Sequence, residues 1–209
     1  MERKENPKRG LRWWRARNLM GNPSYKLLAP TAALILFAAA TVWINYEVKV
    51  NVQGGGGSTG TVSEMGNVKL GQPAPDFSTL DLSNRVVALT SYRGQKAVLL
   101  DFWATWCGPC RTEMVSLQAL QDKFKGQDFE ILSLNQGEAA DQVSQFITRK
   151  KYGFHVLLDA DNAVANKYGV RGIPTLVLVD KQGIIQWLQV GYSEGDSQLE
   201  QKIASLTGK

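Results

Sequence analysis

Hydrophobic and polar residues follow two kinds of pattern along residues 67–209. Short apolar runs predict four strands: AVLLDFW (97–103), FEILSL (129–134), TLVLV (175–179) and IIQWLQV (184–190). Apolar residues at helical spacing predict four helices, at 109–124, 140–150, 162–168 and about 196–206. The first three strands are apolar enough to be buried on both faces. This alternation predicts an α/β sandwich, a central sheet with parallel pairs flanked by helices.

Two details refine this prediction. Residues DKQG (180–183) stand between the last two strands and predict a tight antiparallel turn. Along the first helix, four apolar residues recur at helical spacing, namely Met114, Leu117, Leu120 and Phe124. We interpret this stripe as core packing rather than as a cofactor site.

An apolar segment precedes the predicted domain. Residues 27–44 run for 18 residues without a charge, which corresponds to about 27 Å of helix and to the core of a thin bilayer. We therefore predict a transmembrane anchor at 27–46. The alternative is a cleaved signal peptide, because small residues at 38–40 lie near the end of the run. The run is longer than a signal-peptide core and continues past these alanines, which favours an uncleaved anchor.

The charge distribution predicts the orientation of this anchor. Residues 1–26 carry eight basic and two acidic side chains, a balance of +6, whereas the whole chain carries +5. A basic flank before the span favours a cytoplasmic N-terminus and an extracytoplasmic domain. A basic segment is also typical of nucleic-acid binding, but the adjacent span favours contact with lipid. GGGGSTG (54–60) predicts a flexible tether at 47–66, or a cloning scar, before the domain at 67–209.

The run DFWATWCGPC (101–110) contains the only two cysteines of the chain, Cys107 and Cys110. Both lie at the predicted start of a helix, where free N–H groups and the helix dipole favour a thiolate. We expect the more exposed Cys107 to attack a disulfide, and Cys110 to resolve the mixed disulfide by attacking the sulfur of Cys107. Pro109 fits the first helical turn, and Gly108 leaves the approach to the sulfurs open.

Two other interpretations of the cysteine pair compete with this one. A zinc ion needs about four ligands, and the chain adds a single histidine, His155, so a metal site is poorly supplied. A purely structural disulfide between residues three apart closes a very short loop and constrains the unfolded chain little. His155 stands between Phe154 and Val156, which indicates a packed or edge histidine rather than a catalytic one.

Asp101 interrupts the apolar run AVLLDFW. A carboxylate on a buried strand is costly unless it is partnered, and the usual response is a raised pKa. Because Asp101 lies six residues before Cys107, we expect it to accept the proton of Cys110 as the mixed disulfide resolves. The alternative is that Asp101 points to solvent on an edge strand.

Two separate motifs of the chain, one after the other, resemble motifs of the thioredoxin superfamily. DFWATWCGPC resembles the active site of that family, and GVRGIPTLVLVDKQG (169–183) resembles its second landmark. The resemblance implies a thioredoxin-like three-layer sandwich and a cis peptide bond between Ile173 and Pro174, packed beside the cysteines. It also implies a substrate-docking surface, formed by Trp106, Gly108, Pro109, Ile173 and Pro174.

The chain is more specifically similar to the membrane-tethered TlpA/ResA-like oxidoreductases. The similarity rests on GQPAPDFSTLDLSNRVVALTSYRGQKAVLLDFWATWCGPCRTEM (71–114), the N-terminal anchor, and an extra helix and strand at about 138–158. It implies an extracytoplasmic reductant, for example in cytochrome c maturation. The chain departs from specialised members, because Asp101 and the Gly108-Pro109 pair are closer to general thioredoxin and no acidic residue stands between the cysteines.

Peroxiredoxins share the PAPDF opening (73–77) with this chain. A peroxidatic loop requires Thr-x-x-Cys, whereas Thr105 stands two residues before Cys107. The sequence therefore disfavours a peroxidase.

Together these features predict a membrane-anchored thiol-disulfide oxidoreductase that reduces disulfides in exported client proteins. No cofactor is implied, because the electrons travel as dithiol and disulfide. A reductant in an oxidising compartment needs resupply, so the predicted partner is a membrane electron-transfer protein. The alternatives are an oxidant or isomerase of exported proteins, and a non-catalytic module that captures exported chains near Pro174.

Overall fold

The computed structural model describes residues 60–192 and 197–207. The predicted basic segment (1–26), the predicted anchor (27–46) and the part of the tether at 47–59 lie outside the described residues. No helix in the described ranges combines the length and the apolar character that a membrane span requires.

A mixed sheet of eight strands forms the centre of the domain. The strands of this sheet and of a separate hairpin are β1 (Gly60–Thr61), β2 (Glu64–Met65), β3 (Val68–Lys69), β4 (Ser78–Asp81), β5 (Val86–Ala88), β6 (Ala97–Trp103), β7 (Phe129–Gln136), β8 (His155–Asp159), β9 (Thr175–Val179) and β10 (Ile185–Val190). The order across the large sheet is β1-β10-β9-β6-β7-β8-β4-β5, while β2 pairs with β3. β7 runs parallel to both β6 and β8, and β6 is antiparallel to β9.

The helices in the described part of the chain are α1 (Gly108–Lys123), α2 (Ala140–Lys150), α3 (Ala163–Tyr168) and α4 (Ser197–Thr207), with a 3₁₀ turn at Leu89–Tyr92. α1 begins where it does because the Cys107 sulfur accepts a hydrogen bond from the Cys110 N–H and Pro109 occupies the first turn. α3 ends at Gly169, whose φ of 71° is a conformation that glycine adopts without a Cβ clash.

The two faces of β6 separate the core into two layers, because successive side chains of a strand point to opposite sides. Leu99 and Trp103 pack in a cluster that also contains buried side chains of α1, α2 and α4. Leu100 and Phe102 pack on the opposite face with Tyr168 of α3, whose ring lies 5.5 Å from that of Phe102. The predicted three-layer α/β sandwich is confirmed.

The predicted elements are confirmed with small shifts at their ends. The stripe on α1 is core packing, since Met114, Leu117 and Phe124 are buried and Leu120 is partly buried against the same cluster. The turn between β9 and β10 is also confirmed, and the N–H of Gly183 donates to the carbonyl oxygen of Asp180 (2.9 Å).

The predicted start of the domain at residue 67 is wrong. β1 pairs with β10 and β2 pairs with β3, so residues 60–66 belong to the folded domain rather than to the tether. Strands of two residues have no periodic pattern, which is why the sequence does not reveal them. β4 and β5 were also missed, because they have only four and three residues and no continuous apolar run.

Candidate active site

Cys107 and Cys110 form a disulfide at the start of α1, with 2.01 Å between the sulfurs. The N–H of Cys110 donates to the sulfur of Cys107 (3.2 Å), so the helix terminus is directed at that atom. Cys107 is 4 % exposed and Cys110 is fully buried. Gly108 and Pro109 are exposed beside the disulfide. A reaction partner therefore reaches the sulfur of Cys107 before that of Cys110.

The loop before β9 lies against the disulfide. The carbonyl oxygen of Ile173 is 3.8 Å from the sulfur of Cys107, and the Ile173–Pro174 peptide bond is cis, as the resemblance implies. The hydroxyl of Thr175 donates to the carbonyl oxygen of Gly172 (2.7 Å) and fixes this loop. The two motifs that are separated in the sequence thus meet at one site.

Trp106 precedes the disulfide and is 70 % exposed. It lines an open cleft of about 720 Å³ together with residues at the end of β7, around α3 and in the loop before β9, among them Gln136, Gly137, Asn162, Arg171 and Ile173. An exposed indole offers a large amphipathic contact surface. Of the predicted docking residues, Trp106 and Ile173 line this cleft, whereas Pro174 is buried.

Asp101 is buried at the centre of the sheet, because β6 lies between β7 and β9. The alternative that it points to solvent on an edge strand is wrong. Its Oδ2 accepts a hydrogen bond from the hydroxyl of Ser133 (2.8 Å), while its Oδ1 has no partner among the described residues. Burial disfavours the charged form and raises the pKa of Asp101 to about 7, although the Ser133 hydrogen bond opposes this effect.

The alternation of side chains along β6 directs Asp101 to the same face as Leu99 and Trp103. These two residues belong to the cluster that contains Cys110. Asp101 therefore faces the layer of α1, beneath the cysteine pair.

Glu113 is a second buried acid, and the sequence analysis missed it. It stands three residues after Cys110 on α1 and is 3 % exposed. Neither of its carboxyl oxygens has a partner in residues 60–192 and 197–207. Burial, and then the charge of Asp101, raise the pKa of Glu113 to about 9. A signal was available, because helical spacing places Glu113 on the face of Cys110 and Leu117.

Asp101 and Glu113 form a coupled pair of acids beneath the disulfide. The pKa values of both acids are raised by burial, so each binds a proton more readily than an exposed carboxyl group does. A buried acid with a raised pKa is suited to accept a proton from a thiol and to return it. Glu113 also borders a cavity of about 350 Å³ between α1, α4 and the sheet.

A third buried acid, Glu138, holds the loop that leads to the cysteines. Its Oε2 accepts hydrogen bonds from the N–H of Thr105 (2.6 Å) and the side-chain amide of Asn135 (2.7 Å). Its Oε1 accepts from the Thr105 hydroxyl and from Gln142 of α2. The sequence analysis missed this network, because Glu138 and Thr105 are 33 residues apart and no local pattern connects them.

His155 lies away from the disulfide, at the start of β8. Its Nδ1 is 3.3 Å from the hydroxyl of Tyr92, and its Nε2 is 3.3 Å from a carboxylate oxygen of Asp81. The interpretation of His155 as a packed or edge histidine is confirmed.

A mixed sheet, a Cys-x-x-Cys disulfide at a helix start and a cis-proline loop against it define a thiol-disulfide oxidoreductase of thioredoxin-like fold. The chain belongs to the AhpC/TSA family, whose model matches residues 70–188.

Relatives with established names agree with this class. The chain is 36 % identical over 166 residues to the thiol-disulfide oxidoreductase ResA of Geobacillus thermodenitrificans, covering 79 % of this chain and 88 % of that protein. It is 34 % identical over 173 residues to the thioredoxin-like protein YneN of Bacillus subtilis, covering 81 % and 92 %. A crystal structure from Chlorobium tepidum, assigned as the thiol:disulfide interchange protein DsbE, aligns with a TM-score of 0.63 at 32 % identity, over 68 % of this chain and 99 % of that one.

Proposed function

We propose that the protein is an extracytoplasmic, membrane-anchored reductase of disulfides in exported client proteins. The observation that carries this proposal is the arrangement at the start of α1. The more exposed sulfur, that of Cys107, directly follows Trp106 of the docking cleft, while the fully buried sulfur, that of Cys110, packs in the layer that Asp101 and Glu113 also face, two buried acids whose pKa values are raised.

The first step uses the reduced form of the protein. The Cys107 thiolate attacks one sulfur of a client disulfide, so that a bond forms between Cys107 and the client and the second client cysteine leaves as a thiolate. The helix N-terminus and the Cys110 N–H, which lies 3.2 Å from the Cys107 sulfur in the disulfide form, stabilise negative charge on that atom. Trp106 and Ile173 contact the client segment in the cleft.

The second step closes the disulfide seen in the structure. Cys110 loses its proton to the Asp101 and Glu113 pair and attacks the sulfur of Cys107. The bond between Cys107 and the client breaks, and the client leaves with both of its cysteines reduced. Two electrons have then passed from the protein to the client, and an external dithiol must return them.

The proposed location is based on the sequence before the domain. The uncharged run at 27–44 has the length of a membrane span, and the balance of +6 in residues 1–26 favours a cytoplasmic N-terminus. The domain at 60–207 is then extracytoplasmic, where a reductant requires a membrane electron-transfer protein as its donor. A client in cytochrome c maturation is part of the same proposal, and it is based on the resemblance to TlpA/ResA-like proteins.

Trapping of a mixed disulfide tests the two steps. The Cys110→Ser variant of the reduced full-length protein is expected to accumulate a covalent adduct with a peptide that contains one disulfide. The Cys107→Ser variant is expected to form no such adduct. The adducts are counted on a gel without reductant. Equal non-covalent capture of the peptide by wild type and both variants, without any reduction, would instead support a chaperone-like module.

The location is tested with a reporter enzyme that is active only outside the cytoplasm, fused after Lys209. We expect activity with residues 1–46 in place and none when residues 27–46 are deleted. Full activity of the deletion variant would contradict the anchor, and inactivity of both would contradict the orientation.

A further inference from the structure

A second open cleft, of about 670 Å³, begins two residues before Cys107. Six residues line it: Thr105, Arg111, Gln142, Phe146, Arg149 and Lys150. We call it the basic cleft, because three of these side chains are cations and none is an acid.

The three cations of the basic cleft are exposed, and none forms an ion pair within residues 60–192 and 197–207. Some cations elsewhere on the domain surface are paired, as Lys123 is with Glu200 (2.6 Å) and Lys181 with Asp128 (2.8 Å). Glu138 lies behind the wall of the cleft, where its oxygens accept hydrogen bonds from Thr105, Asn135 and Gln142. It offsets one of the three positive charges, so the cleft presents net positive charge.

The position of Arg111 does not serve helix stability. It is the fourth residue of α1, and a cation close to the positive end of a helix dipole is unfavourable. Its guanidinium donates to the carbonyl oxygen of Thr105 (3.5 Å) and so stays at the cleft. Arg149 and Lys150 lie in the last turn of α2, where the dipole favours cations, and they reach the cleft from the other side. Two helix ends thus place three cations in one cleft that begins two residues before Cys107.

We propose that the basic cleft binds a carboxylate side chain of the client protein, an Asp or Glu located about two to four residues from the client cysteine that bonds to Cys107. This inference rests on the proposed function. Thr105 lies within about 8 Å of Cys107, because two residues of chain span no more, so a client segment docked on the sulfur extends over the cleft. A membrane surface over the cleft would cover Cys107 and block exchange, which favours a client segment over anionic lipid as the occupant.

The test uses the reduced full-length protein in a nonionic detergent. Its substrates are disulfide peptides that differ only at one position, occupied by Glu, Gln or Lys, and that position is moved from two to four residues on either side of the reactive cysteine. At about 20 mM salt we expect kcat/KM for the best-placed Glu peptide to exceed that for its Gln counterpart by roughly threefold to tenfold, with Lys below Gln. At about 500 mM salt the preference is expected to disappear, because screening shortens the reach of exposed charges.

Paired variants assign the preference to the cleft. The double variant Arg149→Gln/Lys150→Gln is expected to lose at least half of the preference for Glu. The control, Lys125→Gln/Lys202→Gln, removes the same net charge near the opposite end of α1 and is expected to retain it. An equal loss in the control would overturn the inference in favour of a general effect of net charge.

Two further outcomes would overturn the inference. Equal rates for the Glu, Gln and Lys peptides at low salt would do so while leaving the reductase function intact, whereas no reduction of any peptide would contradict both proposals. Weaker binding of Arg149→Gln/Lys150→Gln to vesicles with anionic lipid, with the peptide preference unchanged, would assign the cleft to the membrane surface instead.

Discussion

Asp81 at the end of β4 and Asp101 at the centre of β6 are both hidden from solvent, with exposures of 2 % and 0 %, yet their acidities change in opposite directions. Asp81 accepts hydrogen bonds from the N–H groups of Arg85 (2.9 Å) and Ser83 (2.8 Å) and from the Arg85 guanidinium, which together hold its pKa well below the ordinary value. Asp101 has one donor, Ser133, and burial raises its pKa to about 7.

Donors and depth of burial together decide what a hidden carboxyl group does, because Asp81 lies at a turn with several donors and Asp101 lies at the centre of the sheet with one. Asp81 is supplied with enough donors to remain charged, and it closes the turn between β4 and β5. Asp101 and Glu113 lack them and hold a proton beneath the cysteines. The two acids with few donors lie beneath the cysteines, whereas Asp81 stabilises the turn between β4 and β5.

Among the variants that test this comparison, Asp101→Asn is expected to have the largest effect. The substitution removes the acceptor for the Cys110 proton, so resolution of the mixed disulfide is expected to slow by about 100-fold at pH 7. Acid quenching of a single turnover, followed by separation of the adduct, measures this rate. In the wild type the rate is expected to rise with pH near 7, and in Asp101→Asn this rise is expected to vanish. An unchanged rate and pH profile would contradict the role of Asp101.

The second effect concerns stability. An acid whose pKa is raised on folding binds its proton more tightly in the native state, so the free energy of unfolding falls as pH rises from the ordinary pKa of 4.5 towards about 9. Between pH 5 and 8 the free energy of unfolding of the oxidised wild type is expected to fall by on the order of 4 kcal/mol more than that of Glu113→Gln. Thermal unfolding at a series of pH values measures this, and parallel curves for the two proteins would show that Glu113 is not held protonated.

The third effect is that of Glu113→Gln on catalysis. Because burial raises the pKa of Glu113 to about 9, its replacement by the neutral glutamine is expected to slow resolution by less than roughly tenfold at pH 7. In the wild type we expect a second change in the resolution rate near pH 9, where Glu113 loses its proton. In Glu113→Gln this second change is expected to be absent. The same single-turnover experiment detects it, and a retained change near pH 9 would assign the titration to another group.

The smallest effect on activity is expected from Asp81→Asn, the matched control at the sheet edge. Its resolution rate is expected to equal that of the wild type. Its melting temperature is expected to fall by about 5 °C at pH 7, because charge-assisted hydrogen bonds are lost. An acid whose pKa is lowered on folding adds stability above its ordinary pKa of 3.8 that is lost at lower pH, so the deficit is expected to shrink below pH 4. Slower resolution of the mixed disulfide in Asp81→Asn would contradict the distinction between Asp81 and Asp101.

Local patterns were sufficient for much of this account. The apolar run of β6 predicted a buried strand, and its one carboxylate predicted a perturbed acid. The motifs around Cys107 and Pro174 are short and specific. Their resemblance to the thioredoxin superfamily predicted that they lie together at one site. In each case the information lies within a few consecutive residues.

The rest depends on packing between distant segments. Helical spacing placed Glu113 on the face of Cys110, but its coupling to Asp101 arises only when α1 packs over β6. The Glu138 network joins residues 33 apart. β1 is held by its pairing with β10, near the other end of the chain, so its two residues gave no signal of their own.

The most direct test of the central claim is the reduction potential of the Cys107–Cys110 disulfide. The full-length protein in a nonionic detergent is equilibrated with glutathione or with a thioredoxin of known potential, and the oxidised fraction is measured. We expect a reduction potential of about −250 mV or below, which a reductant supplied by a membrane electron donor requires. A value above about −180 mV would identify an oxidant or isomerase and contradict the proposed direction of electron flow.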